Sequence, residues 1–127
     1  ISITNRTYEK SIFLKKKFPS INIIKWEESY KYIPDFGLII NATSLGMKNS
    51  GQFDNPIENV NEKATYIDTI YNPLETEMIK NLKQKNIKTF NGLDMLIYQG
   101  QKSFYIWNKI NPEVDDELVN LLKDKIK

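Results

Sequence analysis

The sequence predicts an α/β fold with a parallel sheet and a helical carboxy-terminal segment. Three observations predict it. Short β-type runs alternate with helical patterns along the 127 residues, the order that crossover helices between parallel strands produce. The run Leu38-Ile39-Ile40 is continuously apolar up to Asn41, as strands covered on both faces are. The β-type runs also give way to Asn, Gly or Pro turn residues, at Asn5, Asn72-Pro73 and Asn91-Gly92, which punctuate chain direction.

Taken in order, residues 1–4 alternate and stop at Asn5-Arg6-Thr7, which predicts a first strand. Residues 7–18 read as helix, with Tyr8/Ile12 and Leu14/Phe18 at i,i+4, Thr7 as N-cap and Pro19-Ser20 as the stop. A short strand over 21–25 and a helical turn over 27–32 precede Pro34, and the apolar run makes 38–41 a strand buried on both faces. Residues 43–62 are rich in Asn, Gly, Ser and Pro and read mostly as loop. A strand over 65–71 closes at Asn72-Pro73, since the residue before proline disfavours helix.

A helix over 74–85 carries Met78, Ile79 and Leu82 on one face, and a strand over 87–90 ends at Asn91-Gly92. The strongest helical pattern covers 93–107, where Leu93, Leu96, Ile97, Gly100, Phe104 and Trp107 trace one stripe. After Pro112, residues 115–127 read as a closing helix. Asp115, Asp116 and Glu117 lie in its first turn and Lys123, Lys125 and Lys127 near its end, which suits the helix dipole. No repeat or linker divides the chain, so 1–127 is expected to be one unit, with 93–127 a helical pair closing a cleft.

Composition removes several classes of function. Hydrophobic residues make up 40% and charged residues 27%, enough apolar material for a packed core and too much for a disordered tail. Cysteine is absent, so the chain has no disulfide, Cys-based zinc site or thiol nucleophile. Histidine is absent too, which removes the commonest general base and metal ligand; no metal is expected, and a Ser-His or Cys-His mechanism within this chain is excluded. A net charge of +2 is too small to imply nucleic-acid binding by phosphate neutralisation, and the Lys15-Lys16-Lys17 run reads as a solvated helix face. No apolar run approaches the ~20 residues of a membrane span, and no signal-peptide pattern is present. The expectation is a cytoplasmic protein without nucleic-acid or membrane partners. The chain opens on Ile, already in strand pattern, so a piece that begins within a fold is expected.

Four constellations could carry chemistry. Asn5-Arg6-Thr7 stands at a strand's carboxyl end and opens a helix, where open α/β sheets bind ligands and helix N-termini accept phosphate. Arg6 is the only arginine among 18 basic residues, a planar fork in a chain that otherwise uses lysine. Such a fork suits bidentate phosphate binding and stacking on adenine. At the end of the second strand of a dinucleotide fold an acid reads the ribose 2′-OH of NAD, whereas Arg accommodates the 2′-phosphate of NADP. Asn-Arg-Thr therefore reads as NADP, against the plainer alternative of an exposed Arg in a capped turn.

The second constellation, Leu38 to Met47, runs a buried strand into small polar residues and a glycine, leaving room for a ligand; by itself it is equally a strand-to-loop turn. The third, Asp68-Thr69-Ile70-Tyr71-Asn72-Pro73, offers the Tyr71 phenol at a strand end, or a half-buried Tyr closing the core. In the fourth, Gly92, Met95 and Gln99 share one helix face by their spacing. Gly92 permits close approach, Met95 an adaptable apolar contact, and Gln99 both donates and accepts hydrogen bonds; alternatively Gln99 faces solvent.

Together and in this order, these segments resemble the carboxy-terminal domain of the shikimate dehydrogenases. The resemblance rests on Asn5-Arg6-Thr7 with Lys10, Ile39 to Met47 (IINATSLGM), Asp68 to Pro73 (DTIYNP) with Glu75-Thr76, and Asn91 to Gly100 (NGLDMLIYQG). Ser103-Phe104, Trp107 and Pro112 extend it over nearly the whole chain. It implies a Rossmann-type, doubly wound parallel sheet that is incomplete in this segment, and NADP-dependent, reversible reduction of 3-dehydroshikimate to shikimate by hydride transfer, a step of aromatic amino-acid (chorismate) biosynthesis.

By that resemblance, Asn5, Arg6, Thr7 and Lys10 match the segment that holds the adenosine 2′-phosphate. Thr43, Ser44, Thr69, Gly92 and Met95 fall where the family's cofactor lies, and Tyr71 and Gln99 match residues that contact the substrate. Both are expected to point into one shared pocket. Thr69 stands where an aliphatic residue is usual. The family's glycine-rich turn should lie just before Ile1, and its catalytic Lys and Asp belong to an amino-terminal substrate domain. The expectation is therefore a cofactor site and one wall of a substrate site, with no catalytic residue in this segment and no activity of the segment alone. Residues 1–4 and 38–41 should flank a missing central strand, about 9.6 Å apart. Two other readings stay open, a quinate/shikimate dehydrogenase-like paralogue and a non-catalytic NADP-binding module.

Overall fold

The computed structural model describes residues 1–54, 57 and 59–126. Strand β1 (Ser2–Ile3), helix α1 (Tyr8–Lys17) and strand β2 (Asn22–Ile23) form the first βαβ unit. A 3₁₀ turn (Trp26–Glu28), the short helix α2 (Ser29–Tyr32) and a second 3₁₀ turn (Ile33–Asp35) lead into β3 (Leu38–Asn41). There follow β4 (Thr65–Asp68), α3 (Glu77–Gln84), β5 (Lys88–Phe90), α4 (Leu93–Asn108) and α5 (Asp116–Lys125). The expected place of Lys127 in the last helix, and the parts of the 43–62 loop at 55, 56 and 58, lie outside the described residues.

All strand pairs are parallel, and they form two separate sheets, β1-β2 and β3-β4-β5. Among the described residues β1 does not pair with β3, although these are the strands expected to flank a missing one. The direct ladder that would have contradicted an incomplete sheet is not formed.

The register explains which residues face inward. Ile39, Tyr66 and Thr89 stand side by side across β3, β4 and β5, and Asn41 pairs with Asp68 one step further along the same face. Helix α3 lays Met78, Ile79 and Leu82 on this face, and with Tyr66 and Ile87 they make the core, Ile39, Phe53, Ile57 and Val60 packing around it. The opposite face carries Leu38, Ile40 and Phe90, which are 53%, 55% and 45% exposed. The expectation that 38–41 is buried on both faces is therefore corrected. Strand side chains alternate between faces, and among the described residues only one face of the three-stranded sheet has a helix packed into its core.

Helix α4 corrects the expected single buried stripe in the same way. Leu93 and Ile97 are buried, but Phe104 and Trp107 are 43% and 78% exposed. Sixteen residues of helix extend about 24 Å, far past the ends of strands of three or four residues. The buried residues of α4, Leu93 and Ile97, both lie in its first half.

Local capping sets the other boundaries. The helix expected from residue 74 begins at Glu77, because the Thr76 hydroxyl accepts the Ile79 N–H and caps α3. Asp115 caps α5 through the Leu118 N–H at 2.8 Å, as its acidic start suggests. Thr7 holds the N-cap position of α1 but makes no side-chain capping bond; instead its own N–H donates to Asn5 Oδ1 at 2.8 Å. No helix among the described residues is long and apolar enough to cross a membrane.

Candidate functional site

Within each sheet the strands run parallel, so their carboxyl ends share one rim. Thr43 and Ser44 follow β3, Thr69 follows β4, and Gly92 follows β5 by two residues. Asn5, Arg6 and Thr7 occupy the equivalent position after β1 in the other sheet.

The rim of the three-stranded sheet is organised by one buried carboxylate. Asp68 is 0% exposed. Its Oδ1 accepts from Asn41 Nδ2 and from the Ile70 N–H, each at 3.1 Å. Its Oδ2 accepts from the Thr76 hydroxyl at 2.9 Å and the Tyr66 hydroxyl at 3.3 Å. No basic side chain pairs with it among the described residues; hydrogen-bond donors alone compensate its burial, as a buried charge requires. Burial first, and then the charge and hydrogen bond of Asp68, hold the Tyr66 phenol well above the ordinary tyrosine range.

Asn41 passes this anchorage to the next turn. Its Nδ2 also donates to the Leu45 carbonyl at 3.1 Å, and its Oδ1 accepts from the Thr43 N–H at 3.0 Å and the Thr43 hydroxyl at 2.7 Å. Thr43 Oγ1 in turn accepts the Leu45 N–H at 3.1 Å. The backbone N–H and the single hydroxyl proton of Thr43 are thus both committed to Asn41 within the turn, leaving its carbonyl and methyl group for other contacts. Gly46, at φ +101°, sits in the left-handed region that favours glycine, and a β-carbon there would lie 3.1 Å from Thr76 Cγ2.

Between β4 and α4 the contact is backbone on backbone. The Gly92 N–H donates to the Ile70 carbonyl at 2.8 Å, and the Thr69 N–H to the Asn41 carbonyl at 3.0 Å. Strand β4 ends at Asp68 rather than Tyr71, because the Ile70 backbone groups are taken by Asp68 and Gly92. Gly92 is buried, Thr69 and Thr43 are half-buried, and Ser44 and Met95 are exposed.

At the other sheet, Asn5 is half-buried while Arg6, Thr7 and Lys10 are exposed. Arg6 makes no ion pair among the described residues. Tyr71 and Gln99 are both exposed. One shallow cavity of about 250 Å³ lies among Leu74, Glu75, Thr89, Asn91 and Asp94. A second, of about 360 Å³, lies among Gly46, Met47, Gly51, Asn72 and Pro73. Neither is lined by Tyr71 or Gln99.

Asn41, Asp68 and Thr76 stand within the sequence motifs above, yet none of them carries an expected role there. A signal was available. Asn41 ends an apolar run and Asp68 ends the neighbouring strand, so polar residues close two adjacent buried strands at one level.

Residues 92–116 match the family model described as the shikimate 5′-dehydrogenase C-terminal domain. The chain is 48% identical over 122 residues to the shikimate dehydrogenase (NADP(+)) of Pelagibacter ubique, a match covering 96% of this chain and 44% of that protein. It superposes with TM-score 0.81 and 36% identity on a shikimate dehydrogenase solved in complex with NADP+, over 100% of this chain and 47% of the other. The Thermus thermophilus enzyme, solved with NADP(H) and shikimate, gives TM-score 0.78 at 25% identity, covering 99% and 46%. The chain thus spans a little under half the length of the curated relatives it matches.

Proposed function

Because the chain belongs to the shikimate dehydrogenase family and matches its carboxy-terminal part, we propose that it is the NADP-binding part of an enzyme interconverting 3-dehydroshikimate and shikimate. The observation that carries this reading is Arg6. It is exposed and without an ion pair among the described residues, immediately before a helix whose N-cap side chain makes no capping bond. A free guanidinium beside uncapped backbone N–H groups fits a phosphate monoester.

Asn5, Arg6, Thr7 and Lys10 would hold the adenosine 2′-phosphate, and Thr43, Ser44, Thr69, Gly92 and Met95 the remainder of the cofactor. Bound NADP supplies the ring that accepts or donates the hydride. The chain's own contribution is binding and orientation. Asn5 holds the Thr7 N–H and so shapes the turn that presents Arg6. The 43–46 turn, tied to Asn41, presents backbone groups at the rim. Met95 offers exposed apolar surface on the first turns of α4, and Tyr71 and Gln99 offer polar groups to a substrate hydroxyl.

The catalytic acid/base would come from an amino-terminal substrate domain, against which the 93–127 helical pair closes the cleft. The enzyme would act in the cytoplasm, in the aromatic amino-acid (chorismate) pathway, with no nucleic-acid or membrane partner. The test is NADPH oxidation by the intact enzyme with 3-dehydroshikimate. Turnover is expected; tight NADPH binding without turnover would instead favour a non-catalytic NADP-binding module.

A further inference from the structure

Every segment at the rim of the three-stranded sheet is connected to Asp68. Directly, the carboxylate holds Asn41 at the end of β3, the Ile70 N–H after β4, and the Thr76 hydroxyl that caps α3. At one remove, Asn41 fixes both ends of the turn that contains Thr43, Ser44 and Leu45. Also at one remove, Ile70 receives the Gly92 N–H at 2.8 Å and so seats the start of α4. Asp68 is buried, its two oxygens accept from four donors of the chain itself, and it lines neither of the two cavities described above. Its chemistry is therefore directed at the turns rather than at a ligand.

We propose that Asp68 is a positioning residue for the part of the cofactor site beyond the adenosine 2′-phosphate, acting through Asn41 and Thr76 to hold the 43–46, 69–70 and 92 backbones in one arrangement. The inference rests on the NADP reading above. The role requires the geometry of a carboxylate, two oxygens that both accept. An aspartate oxygen pair only accepts, and here every contact is with a donor. An asparagine would turn its NH₂ group towards at least one N–H or O–H and leave buried donors unpaired, which is unfavourable. Loss of this anchor releases Asn41 and the turn it carries, while the Asn5-Arg6-Thr7 turn follows a strand of the other sheet and, among the described residues, has no hydrogen bond to this network.

That separation gives a readout that a merely structural role would not move. In the intact enzyme, affinities for NADPH and for 2′,5′-ADP, which carries the 2′-phosphate but no nicotinamide, are measured for wild type, Asp68→Asn, Thr76→Val and Thr76→Ser. Asp68→Asn and Thr76→Val are expected to weaken NADPH tenfold or more with 2′,5′-ADP changed less than about twofold. Thr76→Ser, which keeps the hydroxyl, is expected to restore NADPH binding. Retained 2′,5′-ADP binding also shows that a variant is folded, and the Thr76 pair decides the matter if Asp68→Asn does not fold. Equal affinities for NADPH across variants that fold, or parallel losses of both ligands, would overturn the positioning role. Failure of wild type to bind either ligand would overturn the NADP reading itself.

Discussion

At Gly92 the chain leaves no room for a side chain: a β-carbon there would stand 2.0 Å from the carbonyl oxygen of Thr69. Gly92 has an ordinary negative φ of −82°, so backbone conformation does not demand glycine. The demand is contact between the start of α4 and the end of β4. The space that the missing side chain frees is filled by the protein's own backbone.

Gly92→Ala should therefore force α4 away from β4. Overpacking of a filled site costs about 1–3 kcal/mol, and because the obstacle is backbone carbonyl rather than a flexible side chain, the upper end is expected. A urea unfolding midpoint of the intact enzyme checks this. An unchanged midpoint would mean that the contact is readily relieved.

Arg6→Ala should separate the two nicotinamide cofactors. A hydrogen bond to a charged group contributes roughly 1.5–3 kcal/mol, so NADP binding should weaken by about ten- to a hundredfold at ~1.4 kcal/mol per decade. NAD binding should barely change. Equal losses for both cofactors, measured by titration, would show that Arg6 does not read the phosphate.

Gln99→Ala should act on substrate rather than on cofactor. A reduction in kcat/KM of about tenfold or more is expected, since a substrate hydroxyl loses its partner, with NADPH affinity nearly intact. Gln99 and Tyr71 are exposed here, so this effect depends on their being covered by substrate or by the proposed amino-terminal domain. A variant with unaltered kcat/KM would remove Gln99 from the substrate site.

Tyr66 should impose an alkaline limit on stability. Its phenol keeps its proton in the folded state well above the ordinary value of 10.0, owing to burial and then to Asp68. The unfolded chain loses that proton near pH 10, so the associated stability is complete below that pH and declines above it, by about 1.4 kcal/mol per pH unit. Tyr66→Phe removes the titration and should flatten the decline by that amount. Unfolding free energies on either side of pH 10 for both proteins provide the check.

The order of strands and helices was legible because each β-type run is bounded by Asn, Gly or Pro, and because Met78, Ile79 and Leu82 mark the inner face of α3 unambiguously. What covers the second face of a sheet is not a local property. Leu38 and Ile40 look the same to a local pattern as Ile39, and only the position of α3 distinguishes them. The later part of the α4 stripe misled for the same reason: periodicity reports a face, not the presence of something to pack on it.

At the candidate site, the strand-end positions of Thr43, Thr69 and Gly92 were legible from the parallel α/β pattern. The role of Asp68 was not. A carboxylate at the end of a strand ordinarily reads as an exposed turn residue, and its burial depends on donors as distant as Asn41, 27 residues away.

The most direct test of the central claim, that this chain carries an NADP site, is a crystal structure of the intact enzyme with NADP. The expected result places the ribose 2′-phosphate against Arg6, with Asn5 and Thr7 beside it, and the rest of the cofactor along Thr43, Ser44, Thr69 and Met95. Density for the phosphate away from Arg6, or for a cofactor that does not reach the 43–46 turn, would contradict it.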